Sequence, residues 1–355
     1  MTEKVLMKGN EAMAEAAIRA GCLHYFGYPI TPQTEISVHM SKRMPMVGGV
    51  FLQAESEIAA INMVLGASAA GVRVMTSSSS PGISLKTEGI SYLAASDLPC
   101  VIINIQRGGP GLGGIQPAQS DYNQATKAPG HGDFKVLVFA PSTVQEMVNT
   151  IFKAFDLSEQ YRMPAMVLGD GLLGQMMEPV VFPETVVAPR EKPWATIGHQ
   201  EQRSPNIINS LYLQAEMLEN KILERYRRYD QVQSKETESE NYLTEDAEIL
   251  LVAYGASARI ARGAVDFARK LGIKAGLLRP ITLWPFPKKE LVAAAENAAE
   301  LLVVEMSMGQ MVDDVKLAID CSKPVHFFGH TGGVVPSSAE VLERIKELAG
   351  RNGND

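Results

Sequence analysis

Residues 53–82 read QAESEIAAINMVLGASAAGVRVMTSSSSPG, and this stretch decides the fold. Two carboxylates, Glu55 and Glu57, stand at the start of an almost wholly apolar helix of small residues that runs to Gly71. A β-branched run comes next at 72–76, and the serines with Pro81 and Gly82 open another helix. Helix, short apolar strand, hydroxyl-rich turn and helix form the repeating unit of an α/β sheet, whose ligands bind beyond the C-terminal ends of the strands.

The same rhythm extends outward from residue 4 to about 185. Helical periodicity at 9–20, 55–70 and 143–161 alternates with strand-sized runs at 72–76, 101–105, 136–139 and 165–168. These runs are apolar on both faces, as central parallel strands covered by helices must be. Residues 189–245 break the pattern: proline and charge at 189–193, a charge-rich amphipathic helix around 207–229, then a polar run at 231–242. They read as a linker carrying one long exposed helix. A second α/β domain occupies 246–350, beginning with a strand at 249–253, a turn at 255–257 and a helix at 259–271, and 351–355 reads as a frayed tail. The expected division is therefore 1–188, 189–245 and 246–350.

A chain of 355 residues, 46% hydrophobic and 21% charged, can bury a large core. Its net charge of −7 opposes a sequence-independent grip on nucleic acid, which needs a basic face. Polar residues interrupt every window long enough to cross a bilayer, and residues 1–12 lack the apolar core of a signal peptide. The expectation is a cytoplasmic protein with neither nucleic acid nor membrane as partner. Cys22, Cys100 and Cys321 lie far apart, without the short spacing of zinc or iron–sulfur ligands, and read as buried reduced thiols.

Several segments carry chemistry. In GYPITP (27–32) two prolines stiffen a loop and hold Thr31 in place, either to contact a ligand or to cap the next helix. The helix dipole favours carboxylates at 55 and 57 as simple charge caps; a desolvated carboxylate at a buried helix would instead seek a proton donor, and spacing leaves the choice between Glu55 and Glu57 open. The hydroxyls and Gly82 of SSSSPG let a ligand ring approach the backbone closely. In QRGGPGLGG (106–114), Gly109, Gly111 and Gly114 match the dinucleotide spacing G-x-G-x-x-G. Residues 115–122 are polar and lack the helical periodicity that such a fingerprint must open, so that reading is rejected. Arg107, just past a buried strand, reads as a fixed cation able to grip a carboxylate bidentately, or as half of a structural ion pair. Gly169-Asp170-Gly171 has no asparagine after it through residue 202, so Asp170 reads as structural.

Taken in order, GYPITP, QAESE, SSSSPG, QRGGPG and GDGLLGQ resemble the α subunit of 2-oxoacid:ferredoxin oxidoreductases, in particular the short chains of the 3-methyl-2-oxobutanoate and 2-oxoglutarate enzymes. Residues 253–287 resemble the transketolase-type C-terminal domain of that family. The resemblance implies a pyrimidine-type thiamine diphosphate-binding domain followed by a transketolase C-terminal-like α/β domain. It implies that Glu57 faces N1′ of the aminopyrimidine and drives formation of the reactive ylid, and that Ser79, Pro81 and Gly82 line the cofactor. Thr31 and Arg107 would contact the 2-oxoacid carboxylate, and no metal ligand would lie in this chain. The implied reaction is CoA-dependent oxidative decarboxylation of a 2-oxoacid, with the branched-chain acid favoured, to an acyl-CoA and CO2, with electrons passing to ferredoxin. A 2-oxoglutarate enzyme, or half of a transketolase or 2-oxoacid dehydrogenase, is the alternative. The implied partners are a β subunit holding Mg2+, the diphosphate and a [4Fe-4S] cluster, with γ and ferredoxin-like δ subunits.

Overall fold

The computed structural model describes residues 4–127, 129–184 and 189–352. The expected end of the first domain at 188, and residues 353–355 of the expected tail, lie outside the described residues, while 351 and 352 continue the last helix instead of fraying. From Val5 the chain runs through β1 (Val5–Lys8), α1 (Gly9–Arg19), β2 (His24–Gly27), α2 (Thr34–Arg43), β3 (Val50–Gln53), α3 (Glu57–Ala69), β4 (Val74–Ser78) and α4 (Ser80–Ala95). Then come β5 (Cys100–Gln106), α5 (Tyr122–Thr126), β6 (Leu137–Phe139), α6 (Val144–Tyr161), β7 (Pro164–Asp170), α7 (Gly171–Gln175) and β8 (Met177–Val180). The second half comprises α8 (Ala215–Lys235), β9 (Ser239–Tyr242), β10 (Ile249–Val252), α9 (Gly255–Lys270), β11 (Ala275–Pro280) and β12 (Thr282–Trp284). It ends with α10 (Lys288–Ala294), β13 (Glu300–Glu305), α11 (Met311–Ala318), β14 (Val325–Gly329) and α12 (Ser338–Asn352).

The larger sheet has seven strands in the order β12-β6-β7-β5-β4-β2-β3, all parallel except β12. Every residue of β5 and β7 is buried, because α1 packs with α6, and α3 with α4, to cover the sheet. That two-sided cover is why CVIINIQ and PAMVLGD read as continuous rather than alternating apolar runs. The second sheet, β14-β13-β10-β11-β9, is parallel apart from β9.

The two halves interlock more than the sequence predicts. β12 pairs antiparallel with β6 and so extends the first sheet with residues from the second half. Gln119 stitches the halves together: its Nε2 donates to the Tyr254 carbonyl at 2.8 Å, while its Oε1 accepts from Ser257 Oγ at 2.6 Å and from the Met306 amide at 3.0 Å. The expected turn at 255–257 is in fact the first turn of α9. Gly255 starts it at φ +54, where even a β-carbon would come within 3.0 Å of Gln119 Nε2.

The helix expected around 207–229 begins only at Ala215. Asn209 bonds both the amide and the carbonyl of Leu211 and so holds a local turn that competes with helix. Nor is that helix exposed all round. Arg225 and Tyr229 are buried, Arg225 bonding Asp97 and the Ala95 carbonyl, and Tyr229 meeting Trp284 edge-on at 5.5 Å.

Candidate active site

Because β2, β3, β4, β5 and β7 run parallel, the segments leaving their C-terminal ends share one edge of the sheet. Thr31 follows β2, Glu57 follows β3, Ser79, Pro81 and Gly82 follow β4, Arg107 follows β5, and Asp170 closes β7. Residues spread over more than a hundred positions thus converge at one place.

Burial separates the two carboxylates that spacing left equal. Ser56 caps α3, its hydroxyl accepting from the Ala59 amide at 3.2 Å, which leaves Glu55 outside the helix and exposed. Glu57, the first helical residue, turns inward and is only 6% exposed. Among the described residues none hydrogen-bonds its carboxylate or pairs with it at ion-pair distance. A β-carbon on Gly82 would stand 2.7 Å from Glu57 Oε1 and 2.1 Å from Ser78 Oγ, so only glycine leaves room here for the carboxylate. The hydroxyls of Ser78 and Ser79 are buried and also lack a partner. An unpartnered buried polar group is costly, and three together around a glycine describe a surface shaped for a polar ligand.

Arg107 is 8% exposed, and among the described residues no carboxylate lies within ion-pair distance of it, so the structural ion pair does not exist here. Its Nη1 donates to the Thr31 carbonyl at 2.9 Å and its Nη2 to the Leu112 carbonyl at 3.0 Å, while Nε is buried without a partner. The guanidinium is aimed but not neutralised, which suits an anionic ligand. Thr31 itself is exposed and does not cap α2, whose N-cap is Gln33. Its side chain therefore stays available beside the guanidinium.

Behind Arg107 lies a brace that sequence reading missed. Ser80 Oγ accepts from the Arg107 amide at 3.0 Å and donates to Asp121 Oδ2 at 2.6 Å. Asn104 donates to the same Asp121 oxygen and accepts from the Ser80 amide. Burial pushes the Asp121 carboxyl above its ordinary range, partly offset by the bonds from Ser80 and Asn104. Nothing local in the sequence marks these three, since only the meeting of α4, β5 and the start of α5 joins them. A second omission, Lys86, did leave a signal: it is a lone cation in the small, apolar body of α4.

The two glycine motifs take structural roles. The 108–116 loop closes on itself, the Gly114 amide donating to the Gly108 carbonyl and the Gly108 amide to the Gln116 carbonyl, and no helix begins there. Asp170 caps α7 through the amides of Leu172 and Leu173, both at 3.0 Å. Burial pushes its carboxyl up to about 6 against the pull of those amides. Among the described residues no group of three or more His, Cys, Asp or Glu side chains is disposed to hold a metal ion. No described helix is long and apolar enough to cross a membrane.

Comparison with known proteins bears on this edge. Residues 15–246 match the thiamine diphosphate-binding domain of pyruvate flavodoxin/ferredoxin oxidoreductases, and 247–341 match core domain II of pyruvate:ferredoxin oxidoreductase. The chain is 49% identical to the ketoisovalerate oxidoreductase subunit VorB of Methanothermobacter thermautotrophicus, over 97% of this chain and 98% of that one. It is 38% identical to the 2-oxoglutarate synthase subunit KorA of the same organism, over 98% of this chain and 100% of that one. A solved 2-oxoglutarate:ferredoxin oxidoreductase from Magnetococcus marinus, with 2-oxoglutarate, coenzyme A and succinyl-CoA bound, superposes with a TM-score of 0.86 at 26% identity. The likeness covers 98% of this chain, which spans 65% of the solved one. A split-gene transketolase, at TM-score 0.58 and 14% identity, shares the fold.

The residues fit an aminopyrimidine. A buried carboxylate without a donor can accept from a protonated ring nitrogen, the orphaned hydroxyls of Ser78 and Ser79 can meet polar ring edges, and Gly82 keeps the space beside Glu57 clear.

Proposed function

The chain belongs to the 2-oxoacid:ferredoxin oxidoreductases as an α-type subunit, and from that membership we propose that it supplies the proton-relay and substrate-carboxylate half of a shared active site. Glu57, Ser79, Pro81 and Gly82 bind the aminopyrimidine of thiamine diphosphate, with Glu57 on N1′, while Thr31 and Arg107 hold the 2-oxoacid carboxylate. Residues 1–188 form the pyrimidine-binding domain, 189–245 the linker and 246–350 the second domain. One observation carries the reading: a buried carboxylate without a donor and a buried guanidinium without a counter-ion stand on the same sheet edge.

When bound, thiamine diphosphate supplies the carbanion that adds to a 2-oxo carbon and accepts the electron pair released as CO2 departs. The chain's own work is orientation and proton control. Glu57, desolvated at the start of α3, takes and returns the proton at N1′. Arg107 presents its free Nε–H and remaining donors to the substrate carboxylate, and the Ser80–Asp121–Asn104 brace fixes its backbone so that binding requires little rearrangement. The acyl group leaves on coenzyme A, and electrons leave singly for ferredoxin. A β subunit holds Mg2+, the diphosphate and a [4Fe-4S] cluster, γ and ferredoxin-like δ subunits complete the assembly, and the complex works in the cytoplasm.

For the substrate we favour 3-methyl-2-oxobutanoate. A cavity of about 590 Å³ opens beside Thr31, and Ile115, Pro117, Leu172 and Met176 give it a mainly apolar wall. Its one carboxylate, Glu35, is bonded to Asn10 and Gln175, and such a wall suits a branched aliphatic tail better than the second carboxylate of 2-oxoglutarate. The test is CoA-dependent ferredoxin reduction by the chain assembled with its natural partners, on 3-methyl-2-oxobutanoate, 2-oxoglutarate and pyruvate. The branched acid should have the highest kcat/KM; a preference for 2-oxoglutarate would overturn the substrate assignment. Glu57→Gln should lower kcat by about a hundredfold or more. A fully active Glu57→Gln complex would remove Glu57 from the relay.

A further inference from the structure

Lys86 is completely buried, and among the described residues no carboxylate lies within ion-pair distance of it. Packing alone does not call for a lysine here, since methionine would fill the same straight volume without desolvating an ammonium. The position is specific. Gly82, Lys86 and Gly89 lie on one face of α4, at the spacing that brings side chains one above another. A β-carbon on Gly82 would stand 2.7 Å from Glu57 Oε1, and one on Gly89 would stand 2.5 Å from Ile61 Cγ2. Glu57 and Ile61 are themselves one turn apart on α3. The two helices therefore press together at both glycines, and Lys86 sits between those glycines along the same face of α4. The stem leads back to β4, where Nζ donates to Thr76 Oγ1 at 2.6 Å and to the Ser77 carbonyl at 3.0 Å.

We propose that Lys86 is a positioning residue for the reaction: its ammonium, pinned at the end of β4, keeps the Glu57 carboxylate anionic and ready to accept a proton, and so sets the lower pH limit of activity. The inference rests on Glu57 being the partner of N1′. Two ionisable groups face Lys86. Burial pushes the ammonium down to about 7, while the charge of Glu57, from α3, raises its proton affinity again. The other is Cys100 on β5, whose thiol burial pushes up to about 12, so it brings no charge near neutrality. The charge of Lys86 is thus coupled to that of Glu57. Such coupling is reciprocal: whatever Glu57 does to the proton on Lys86, Lys86 does to the proton on Glu57.

Carbon-13 NMR of lysine side chains in the full-length chain tests the coupling without any turnover. A lysine signal should titrate near 7, and in Glu57→Gln its midpoint should fall by about one unit, a tenfold change in proton affinity. In the reconstituted complex, Lys86→Met should move the acid limb of the kcat/KM profile to higher pH by a similar amount while KM for the 2-oxoacid stays within about threefold. A merely structural lysine would leave that limb in place. An unchanged Lys86 midpoint in Glu57→Gln, or a wild-type pH profile in Lys86→Met, overturns the proposal. If Lys86→Met does not assemble, the NMR comparison still decides, because it leaves Lys86 intact. A fully active Glu57→Gln complex would instead remove the role of Glu57, and that of Lys86 with it, even where the NMR coupling is found.

Discussion

Arg107 Nη1 donates to the backbone carbonyl of Thr31 at 2.9 Å, which joins the loop after β2 to the end of β5. The bond spends one guanidinium donor on the scaffold and leaves Nε buried and free. Lysine has one nitrogen where arginine has three and cannot hold Thr31 and Leu112 while also meeting a carboxylate. Charge-assisted hydrogen bonds contribute about 1.5–3 kcal/mol each, so Arg107→Lys should raise KM for the 2-oxoacid roughly ten- to a hundredfold. Steady-state kinetics of the assembled complex measure this, and an unchanged KM would exclude Arg107 from carboxylate binding.

Gly82→Ala inserts a β-carbon 2.1 Å from Ser78 Oγ and 2.7 Å from Glu57 Oε1. Something must shift, and the carboxylate is the movable part. The variant should lose about 1–3 kcal/mol of stability by denaturant titration and should weaken thiamine diphosphate binding in the assembled complex, followed by cofactor titration.

Asp170 makes stability depend on pH. Its carboxyl is raised to about 6 from an ordinary 3.8, so between those values the folded chain holds the proton more tightly than the unfolded one. Stability from this group is greatest at the acid end and is lost as pH rises through about 6, by an amount on the order of 3 kcal/mol. Asp170→Asn keeps an acceptor for the α7 amides but cannot ionise. The difference in unfolding free energy between the two proteins should therefore grow in favour of the variant from pH 4 to 6 and level off above. A difference independent of pH would mean that the carboxyl titrates normally.

Gln119→Ala should loosen the two halves from each other. It strands the Met306 amide in a buried seam, leaves Ser257 without its acceptor, and leaves the Tyr254 carbonyl only its bond from the Ala258 amide at 3.2 Å. Unsatisfied buried groups cost about 1–3 kcal/mol each, so the variant should lose roughly 2 kcal/mol or more and exchange the α9 and β13 amides faster. Hydrogen exchange resolves whether the loss is confined to the seam.

Much of the fold was legible because it is local. The apolar runs at 101–105 and 165–168 could only be strands covered on both sides, and they became β5 and β7. The carboxylates before α3, the serines opening α4 and the arginine after β5 were visible as chemistry at strand ends. Less visible were features that depend on distant partners. β12 has three residues and no signature, and it exists because β6 offers an open edge. The 207–229 helix looked exposed because its buried stripe meets residues such as Asp97 and Trp284, far away in sequence.

The division runs deepest at the site. Periodicity and turn chemistry by themselves determined that an α/β sheet would bring Thr31, the carboxylates at 55 and 57, Gly82 and Arg107 to strand ends, since backbone preferences act over a few residues. Only the tertiary structure decided that Glu57 rather than Glu55 turns inward, that Arg107 has no counter-ion among the described residues, that Ser80, Asn104 and Asp121 brace it, and that Lys86 is buried with its ammonium on the end of β4. Charge state and desolvation are sums over everything packed around a group, and most of what surrounds these residues comes from other strands and helices.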